Sequence, residues 1–362
     1  MLAAVVQKYG PPEVVHLAER PTPEPGAGQI RVRVHAASVG PSDCAFRSGT
    51  PWFARLFAGP MKPRQQILGS DFAGTVDAVG PGVTRFAPGD RVFGATGAAS
   101  GAHAEFVVIA ADGAVQPIPV RPAGRRVARA GDLGRIAEPA PGGDDADTDT
   151  PVEVATAPWS DAEAVSLVDG FLTALPFLRD VCRVRPGQRV LVNGASGAVG
   201  SAAVQLARWM GAEVTAVTST PNLELVRRLG ASHTIDYTAE RFTEARDAYD
   251  VVFDAVGRSS YRRVRRTITS HGVYASTVPS PGLLAAIAWT RIRLGRRAAV
   301  AFTGLRADAA KRTDLELLGR LVAEGEFVPV IDRTLPLADI VAAHTRVDSG
   351  RKVGALVVSL VE

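Results

Sequence analysis

The apolar residues of the chain follow two different rhythms. Over residues 1–115 they fall in short β-rich runs: LAAVV, VVHLAE, QIRVRVHAAS, GTVDAVG, DRVFGA and AEFVVI. Turn sequences separate them, among them YGPP, PEPGAGQ, GPGV and APGD. Strands this short and this often interrupted predict a barrel or sandwich-like domain. From about residue 165, strands alternate with helices. RVLVNG reads as a buried strand, AVGSAAVQLARWMG as a helix ending at Gly211, EVTAVTS as a second strand and NLELVRRLG as a second helix. HTIDY, YDVVFDAVG, a helix around SYRRVRRTI and the strand HGVYAST continue the series. This βαβ rhythm predicts a parallel, doubly wound sheet. After about 305 come further helix and strand segments: DLELLGRLVAEG, FVPVIDRTLPL, DIVAAHTRV and GALVVSL.

Residues 117–157 fit neither rhythm. Proline, glycine and acidic residues dominate their second half. So long a stretch without a periodic pattern is uncommon inside a compact domain. It reads as an insertion, disordered at least across 142–150, and serves as a surface excursion or as a lid or docking arm. It gives way to WSDAEAV, where Ser160 and Glu163 have capping-box spacing for a helix start.

Composition narrows the function classes. A length of 362 residues suggests two domains, and 46% hydrophobic with 22% charged residues is ordinary for a soluble chain. A net charge of +4 is too thin and scattered for a nucleic-acid partner. Its densest cluster, Arg291, Arg293, Arg296 and Arg297, reads as a solvated helix face. The two cysteines, Cys44 and Cys182, form neither a disulfide framework nor a C-x-x-C pair. No leader pattern opens the chain, and no apolar run reaches the roughly 18–20 residues of a membrane span, so a cytoplasmic location is expected.

RVLVNGASGAVGSAAVQLA carries the strongest chemical signal. A buried strand runs into Gly194, Gly197 and Gly200 and then into a helix. Ala195 takes the first place of the usual G-x-G-x-x-G pattern. Gly197 lets backbone approach a pyrophosphate, Gly200 lets the helix pack on the strand, and the helix start offers free N–H groups. The candidate set is Gly194, Ser196, Gly197, Ala198, Val199 and Gly200. The next strand ends in the neutral hydroxyls Thr218, Ser219 and Thr220, with no acid before Glu224. A carboxylate there would hold a ribose 2′-OH and repel a 2′-phosphate, so its lack favours NADPH, with NADH the second choice. Arg227 and Arg228 lie nearby, either toward that phosphate or toward solvent.

With these residues in view, the chain resembles the medium-chain dehydrogenase/reductase superfamily, in its zinc-independent quinone oxidoreductase and enoyl reductase branch. The likeness spans nearly all of the chain except the insertion. It rests on YGPPEVVHL, ASVGPSDCAFRSG, ILGSDFAGTVDAVGPGVTRFAPGDRVFGA, AHAEFVV, FLTAL, VRPGQRVLVNGASGAVGSAAVQLARWMGAEV, NLELVRRLGASHTIDY, YDVVFDAVG and PVIDRTLPL. The resemblance implies a GroES-like β-barrel catalytic domain over residues 1–164, a Rossmann domain over 165–304, and completion of the catalytic domain by 305–362. It implies an α/β fold with the active cleft between the domains, and a homodimer joined through an edge strand. It also implies that Thr173 lies near the cofactor, that Ser219 and Tyr237 flank the 2′-phosphate, and that Val256 and Gly257 border the nicotinamide ribose. Relatives often carry a basic residue where this chain has Pro221 and Asn222.

In zinc members of the superfamily, a Cys ligand precedes a Ser/Thr-Asp pair and a Gly-His-Glu triplet supplies the next ligand. Here those places hold Gly40 before Ser42 and Asp43, and Gly69-Ser70-Asp71. Thiolate and imidazole are both replaced, so no metal is expected. Without a Lewis acid, a simple alcohol is hard to oxidise, whereas a conjugated quinone or enone spreads the arriving electrons. Hydride then goes to a β-carbon or quinone ring, hydrogen bonds hold the oxyanion, and water or a hydroxyl supplies a proton. Ser42 matches the relay hydroxyl of the zinc relatives. Asp43 and Asp71 either orient it or hold loop N–H groups. Zinc-free relatives commonly have Asn at the place of Gly40. The expected activity is NAD(P)H-dependent reduction of quinones or enones. The alternatives are a thioester enoyl reductase docking its carrier at Arg291–Arg297, and a weakly catalytic NADPH-binding redox sensor. His35, His103 and His344 receive no role, and Cys44 reads as buried packing. Trp52, Phe53 and Phe57 line a pocket or pack a loop, and 279–297 reads as a loop.

Overall fold

The computed structural model describes residues 1–52, 54–119, 128–129, 159–293 and 295–361. Its first part begins with a hairpin-like pair, β1 (Leu2–Val6) and β2 (Val15–Glu19). β3 (Gln29–Val39) then opens an antiparallel assembly with β4 (Asp71–Val79), β5 (Arg91–Ala95), β6 (Phe106–Ala110) and β7 (Val115–Pro117). In β3, Ile30, Val32 and Val34 are buried while Arg31 and Arg33 point outward over the Phe106 ring. This period of two fixes which face is core. Helix α1 (Pro41–Ser48) follows β3, with Pro41 at its first position and left-handed Gly49 closing it. A short α2 (Ala54–Ala58) comes next.

Within the expected insertion, β8 (Ala128–Arg129) pairs in parallel with a strand from the end of the chain. The stretch 142–150 lies outside the described residues, as do Phe53 and the side chain of Phe57. The capping box at Ser160 is present. Its Oγ accepts from Glu163 N at 3.2 Å, and Glu163 Oε2 accepts from Ser160 N at 2.9 Å. It starts α3 (Asp161–Ser166), which leads into α4 (Val168–Pro176).

The parallel unit follows. Its strands are β9 (Arg189–Asn193), β10 (Glu213–Thr218), β11 (His233–Asp236), β12 (Tyr249–Asp254), β13 (Ile268–Ser276) and β14 (Arg297–Ala299). Their order in the sheet is β11-β10-β9-β12-β13-β14, so the chain reverses direction at β9. Between them run α5 (Ala198–Trp209), α6 (Leu223–Arg228), α7 (Tyr261–Val264) and α8 (Pro281–Ile292). Val190, Leu191 and Val192 of β9 are all fully buried. Leu191 faces one core cluster and its two neighbours the other. A parallel strand covered on both faces reads as a continuous apolar run, which is how RVLVNG appears in sequence.

Two elements differ from the sequence reading. Residues 281–292 form a helix rather than a loop. Ser280 Oγ accepts from Leu283 N at 3.2 Å, and Pro281 sits at the first position, both strong start signals. Helix α9 (Asp308–Ala323) begins six residues before DLELLGRLVAEG. Its first turn, DAAK, has no apolar stripe to announce it. The chain then returns to the first assembly through β15 (Val330–Pro336), α10 (Ile340–Asp348) and β16 (Ala355–Ser359), and β16 pairs antiparallel with β3. That assembly runs β7-β5-β4-β3-β16-β15-β8, with β6 also on β3. The architecture is thus a GroES-like unit plus a Rossmann sheet. One core cluster links them, joining Phe93 and Ala95 to Phe171, Leu175, Val190 and Val192.

Leu191→Ala empties space on the face of β9 away from that shared core. It is expected to cost about 3 kcal/mol in unfolding free energy, read by urea denaturation.

Candidate active site

Cofactor geometry is set at the β9–α5 turn. Gly194 has φ +79°, and its N–H and that of Ala195 donate to Val217 O at 3.1 and 3.0 Å. Gly197 is the N-cap of α5 in an extended conformation, and no side chain caps the helix. The N–H groups of Ala198, Val199 and Gly200 therefore have no partner within the helix. A Cβ at Gly197 would meet only Gly194 O, at 3.6 Å, so the space over the turn is open. A Cβ at Gly200 would lie 2.0 Å from Gly194 O, so only glycine lets α5 approach β9 this closely. Ser196 Oγ accepts from Thr218 Oγ1 at 2.9 Å and keeps its own proton to donate. Ser196 O accepts from Gly354 N at 2.7 Å, which fastens the C-terminal strand region to the turn. An open, donor-rich turn at a helix start fits the pyrophosphate of a dinucleotide.

The other predicted nucleotide residues lie at the carboxyl ends of neighbouring strands, where open α/β sheets bind ligands. Ser219 follows β10, and its Oγ accepts from Asn222 Nδ2 at 3.1 Å. Tyr237 follows β11 and is 60% exposed. Val256 and Gly257 follow β12. Arg227 is engaged with Thr234 and Glu224, and Arg228 with Glu224. Two residues here were missed by sequence reasoning. Asp236, at the end of β11, accepts from the Thr220 hydroxyl and from Thr238 N at 2.9 Å. It brings a carboxylate to a region where β10 itself has none. Asp254, fully buried, accepts from Gly257 N at 2.9 Å, Ser259 N at 2.8 Å, Asn193 Nδ2 at 2.9 Å and Tyr274 OH at 3.0 Å. It fixes the loop that carries Val256 and Gly257.

Beside this cleft lies a cavity of about 400 Å³, lined from both units. Ser42, Asp43, Asp71 and Thr173 all line it, together with Ser70 and Asp169. The capping geometry of α1 uses up Asp43, whose Oδ2 accepts from Gly40 N at 2.8 Å and Oδ1 from Gly69 N at 3.0 Å. Asp71 is buried and accepts from Ser38 Oγ at 2.7 Å and Ser70 Oγ at 3.1 Å. Burial pushes its carboxyl up to about 8, with the Asp169 charge adding to the rise and the Ser38 hydroxyl opposing it. Burial likewise raises the Asp169 carboxyl, against the pull of Lys352 and a hydrogen bond with Thr173. Asp169 was not visible in sequence because it sits 98 residues beyond Asp71. A Cβ at Gly40 would lie 3.7 Å from Ser42 Oγ and from Asp43 Oδ2, and 3.8 Å from Asp169 Oδ2. Those three groups therefore surround a place where this chain has no side chain.

The same residues do not fit a catalytic zinc. Gly40 offers no donor atom, the Ser70 hydroxyl is engaged with Asp71, and both Asp43 oxygens hold backbone N–H groups. Among the described residues, no three His, Cys, Asp or Glu side chains are grouped to hold an ion.

Cys44 does have a neighbour: His344 Nδ1 is 3.4 Å from its sulfur. Burial raises the thiol and lowers the imidazole to about 3, so both stay neutral and the pair has no nucleophilic character. His103 meets Ser38 O at 2.8 Å and His35 meets Asp161 at 3.1 Å.

Residues 26–120 match the alcohol dehydrogenase GroES-like domain, and 229–358 match the zinc-binding dehydrogenase domain. A quinone oxidoreductase of Pseudomonas aeruginosa is 30% identical over 366 residues, 96% of each chain. The chain belongs to the medium-chain dehydrogenase/reductase superfamily. A Streptomyces venezuelae polyketide synthase component is 35% identical over 250 residues, which are 67% of this chain but 5% of that far longer one. The Coxiella burnetii quinone oxidoreductase structure superposes with a TM-score of 0.78 at 27% identity, covering 100% of this chain and 99% of that one. This member of the superfamily is a nicotinamide-dependent oxidoreductase. No helix among its described residues is long and apolar enough to cross a membrane.

Gly200→Ala is expected to weaken nucleotide binding at least about tenfold, read by fluorescence titration, because α5 must shift to clear Gly194 O. Asp71 carries a proton in the folded protein up to about pH 8, against 3.8 for an ordinary aspartate. Its contribution to stability is complete below pH 3.8 and is lost as pH rises through 8. Thermal denaturation across that range is expected to show a downward slope that Asp71→Asn flattens.

Proposed function

We propose that the enzyme reduces quinones or α,β-unsaturated carbonyl compounds with NADPH, without a metal ion. The observation that carries this reading is the cavity floor. It offers hydroxyls, and in Asp71 and Asp169 carboxyls whose hold on a proton burial strengthens, where zinc relatives place ligands. Nicotinamide, when bound, supplies a hydride. The chain's own residues then manage the charge that develops on the substrate oxygen. Ser42 donates to that oxygen and delivers the proton, and Asp169, across the space left by Gly40, resupplies it. Asp43 holds the Gly40 and Gly69 loops in register, and Asp71 keeps a second proton beside Ser70. Gly194, Ser196, Gly197, Ala198, Val199 and Gly200 would hold the pyrophosphate, Thr173 would lie near the cofactor, Val256 and Gly257 would border the nicotinamide ribose, and Tyr237 would flank the adenosine 2′-phosphate.

Ser219 and Asn222 are the groups available to donate to a 2′-phosphate, which supports NADPH. Asp236 opposes that charge, so NADH is also used. The chain pairs with a second copy through β14, one of the two edge strands of the Rossmann sheet. A trans-enoyl reductase of Aspergillus terreus is 28% identical over 93% of this chain, which supports the thioester alternative beside the first; in its docking cluster Arg293 stacks on Trp289 and Arg296 binds Asp247 at 2.6 Å.

NADPH consumption with a panel of quinones and enones tests the reading, with chelator present throughout. Turnover is expected to persist. Loss of all activity on chelation would contradict it. Ser42→Ala is expected to lower kcat about a hundredfold. Asp236→Asn is expected to raise the kcat/KM ratio of NADPH to NADH by about tenfold, read in the same assay.

A further inference from the structure

The cavity also contains a buried cation that the fold gives little reason to keep. Lys311 lines it and is 5% exposed. Burying an ammonium is costly unless it is fully partnered. Lys311 also stands in the first turn of α9, where the helix dipole disfavours positive charge. Its partners only partly offset these costs. Nζ donates to Gly304 O at 3.0 Å and lies 3.6 Å from Asp308 Oδ1, on a side chain that is 61% exposed. An ammonium has three N–H donors, and these contacts leave capacity unused. Room for the group comes from Gly97, which has φ +59° and whose Cβ would lie 2.9 Å from Nζ. The ammonium thus fills the space that a side chain at 97 would take, between the loop of the GroES-like unit and the 303–305 loop.

Among the described residues Lys311 pairs with Asp308, and none of the cavity carboxyls, Asp43, Asp71 and Asp169, forms an ion pair with it. Asp43 is engaged by two backbone N–H groups. Asp71 and Asp169 both hold protons more tightly than ordinary aspartates. Apolar Phe46, Leu68, Leu172 and Phe302 line much of the remaining wall. Among the described residues that line the cavity, Lys311 is the one cation.

We propose that Lys311 is a substrate anchor that selects α,β-unsaturated substrates bearing a carboxylate. This rests on the reductase reading above and adds the substrate class. A carboxylate takes up the unused donors of the ammonium in a low-dielectric setting, where a charge-assisted bond is strongest. A neutral ester of the same shape gains only a weaker hydrogen bond.

The test compares (E)-4-oxo-4-phenylbut-2-enoate with its methyl ester. The wild-type enzyme is expected to favour the acid by at least about tenfold in kcat/KM. Lys311→Met and Lys311→Gln should bring that ratio to about one, chiefly through KM, while Lys311→Arg keeps it above one. Gly97→Ala, which displaces the ammonium without deleting it, should also lower the ratio. A wild-type ratio at or below one, or a ratio unchanged in Lys311→Met, overturns the proposal. If neither compound is reduced, the reductase reading fails, and binding still decides Lys311. Calorimetry with the saturated keto acid and its methyl ester, in the presence of NADPH, should show the acid bound at least tenfold more tightly by the wild type and not by Lys311→Met. Equal binding of the two by the wild type overturns it.

Discussion

The approach of α5 to β9 is the contact on which the site depends. Gly200 lies so close to the Gly194 carbonyl that no Cβ fits between them. That closeness aims the first N–H groups of α5 at the space above the strand. It also leaves Ser196 where Gly354 can bond to it, so the C-terminal strands of the GroES-like unit are referenced to the same turn. The glycine turn and the cavity beside it are therefore held in one frame. A core running from Phe93 through Phe171 to Val192 makes that frame stiff.

On the proposed reading, hydroxyls and buried carboxyls, not a metal ion, handle the charge on the substrate oxygen. The empty side-chain position of Gly40 is ringed by Ser42, Asp43 and Asp169. Burial keeps Asp71 and Asp169 toward their protonated forms. A floor that holds protons suits a reaction in which negative charge arrives on oxygen. It suits alcohol oxidation poorly, because that reaction needs the oxygen to lose its proton first.

The strand–glycine–helix turn was legible in the sequence because its geometry is local. Strand, glycines and helix start lie within 189–209, and Gly194 and Gly200 each have a backbone reason to be there. The strand pattern of β3 and β9 was legible for the same reason. Partners far apart in the chain were hidden. Asp71 feels the charge of Asp169, and Cys44 meets His344, only through the fold. Asp254 read as part of DAVG, yet its role depends on Tyr274 and Ser259, which sequence spacing does not bring together. Helix α8 was hidden because its exposed apolar residues, Leu284, Trp289 and Ile292, erase the polar stripe that marks a surface helix. The acid missing from β10 arrived from β11 as Asp236.

Isotope transfer is the most direct measurement of the central claim. Reduction of an enone with NADPH deuterated at the nicotinamide C4 hydride position, in ordinary water and with chelator present, should place deuterium on the β-carbon and a solvent-derived hydrogen on the α-carbon. Deuterium on the carbonyl carbon, or a product free of label, would contradict the account.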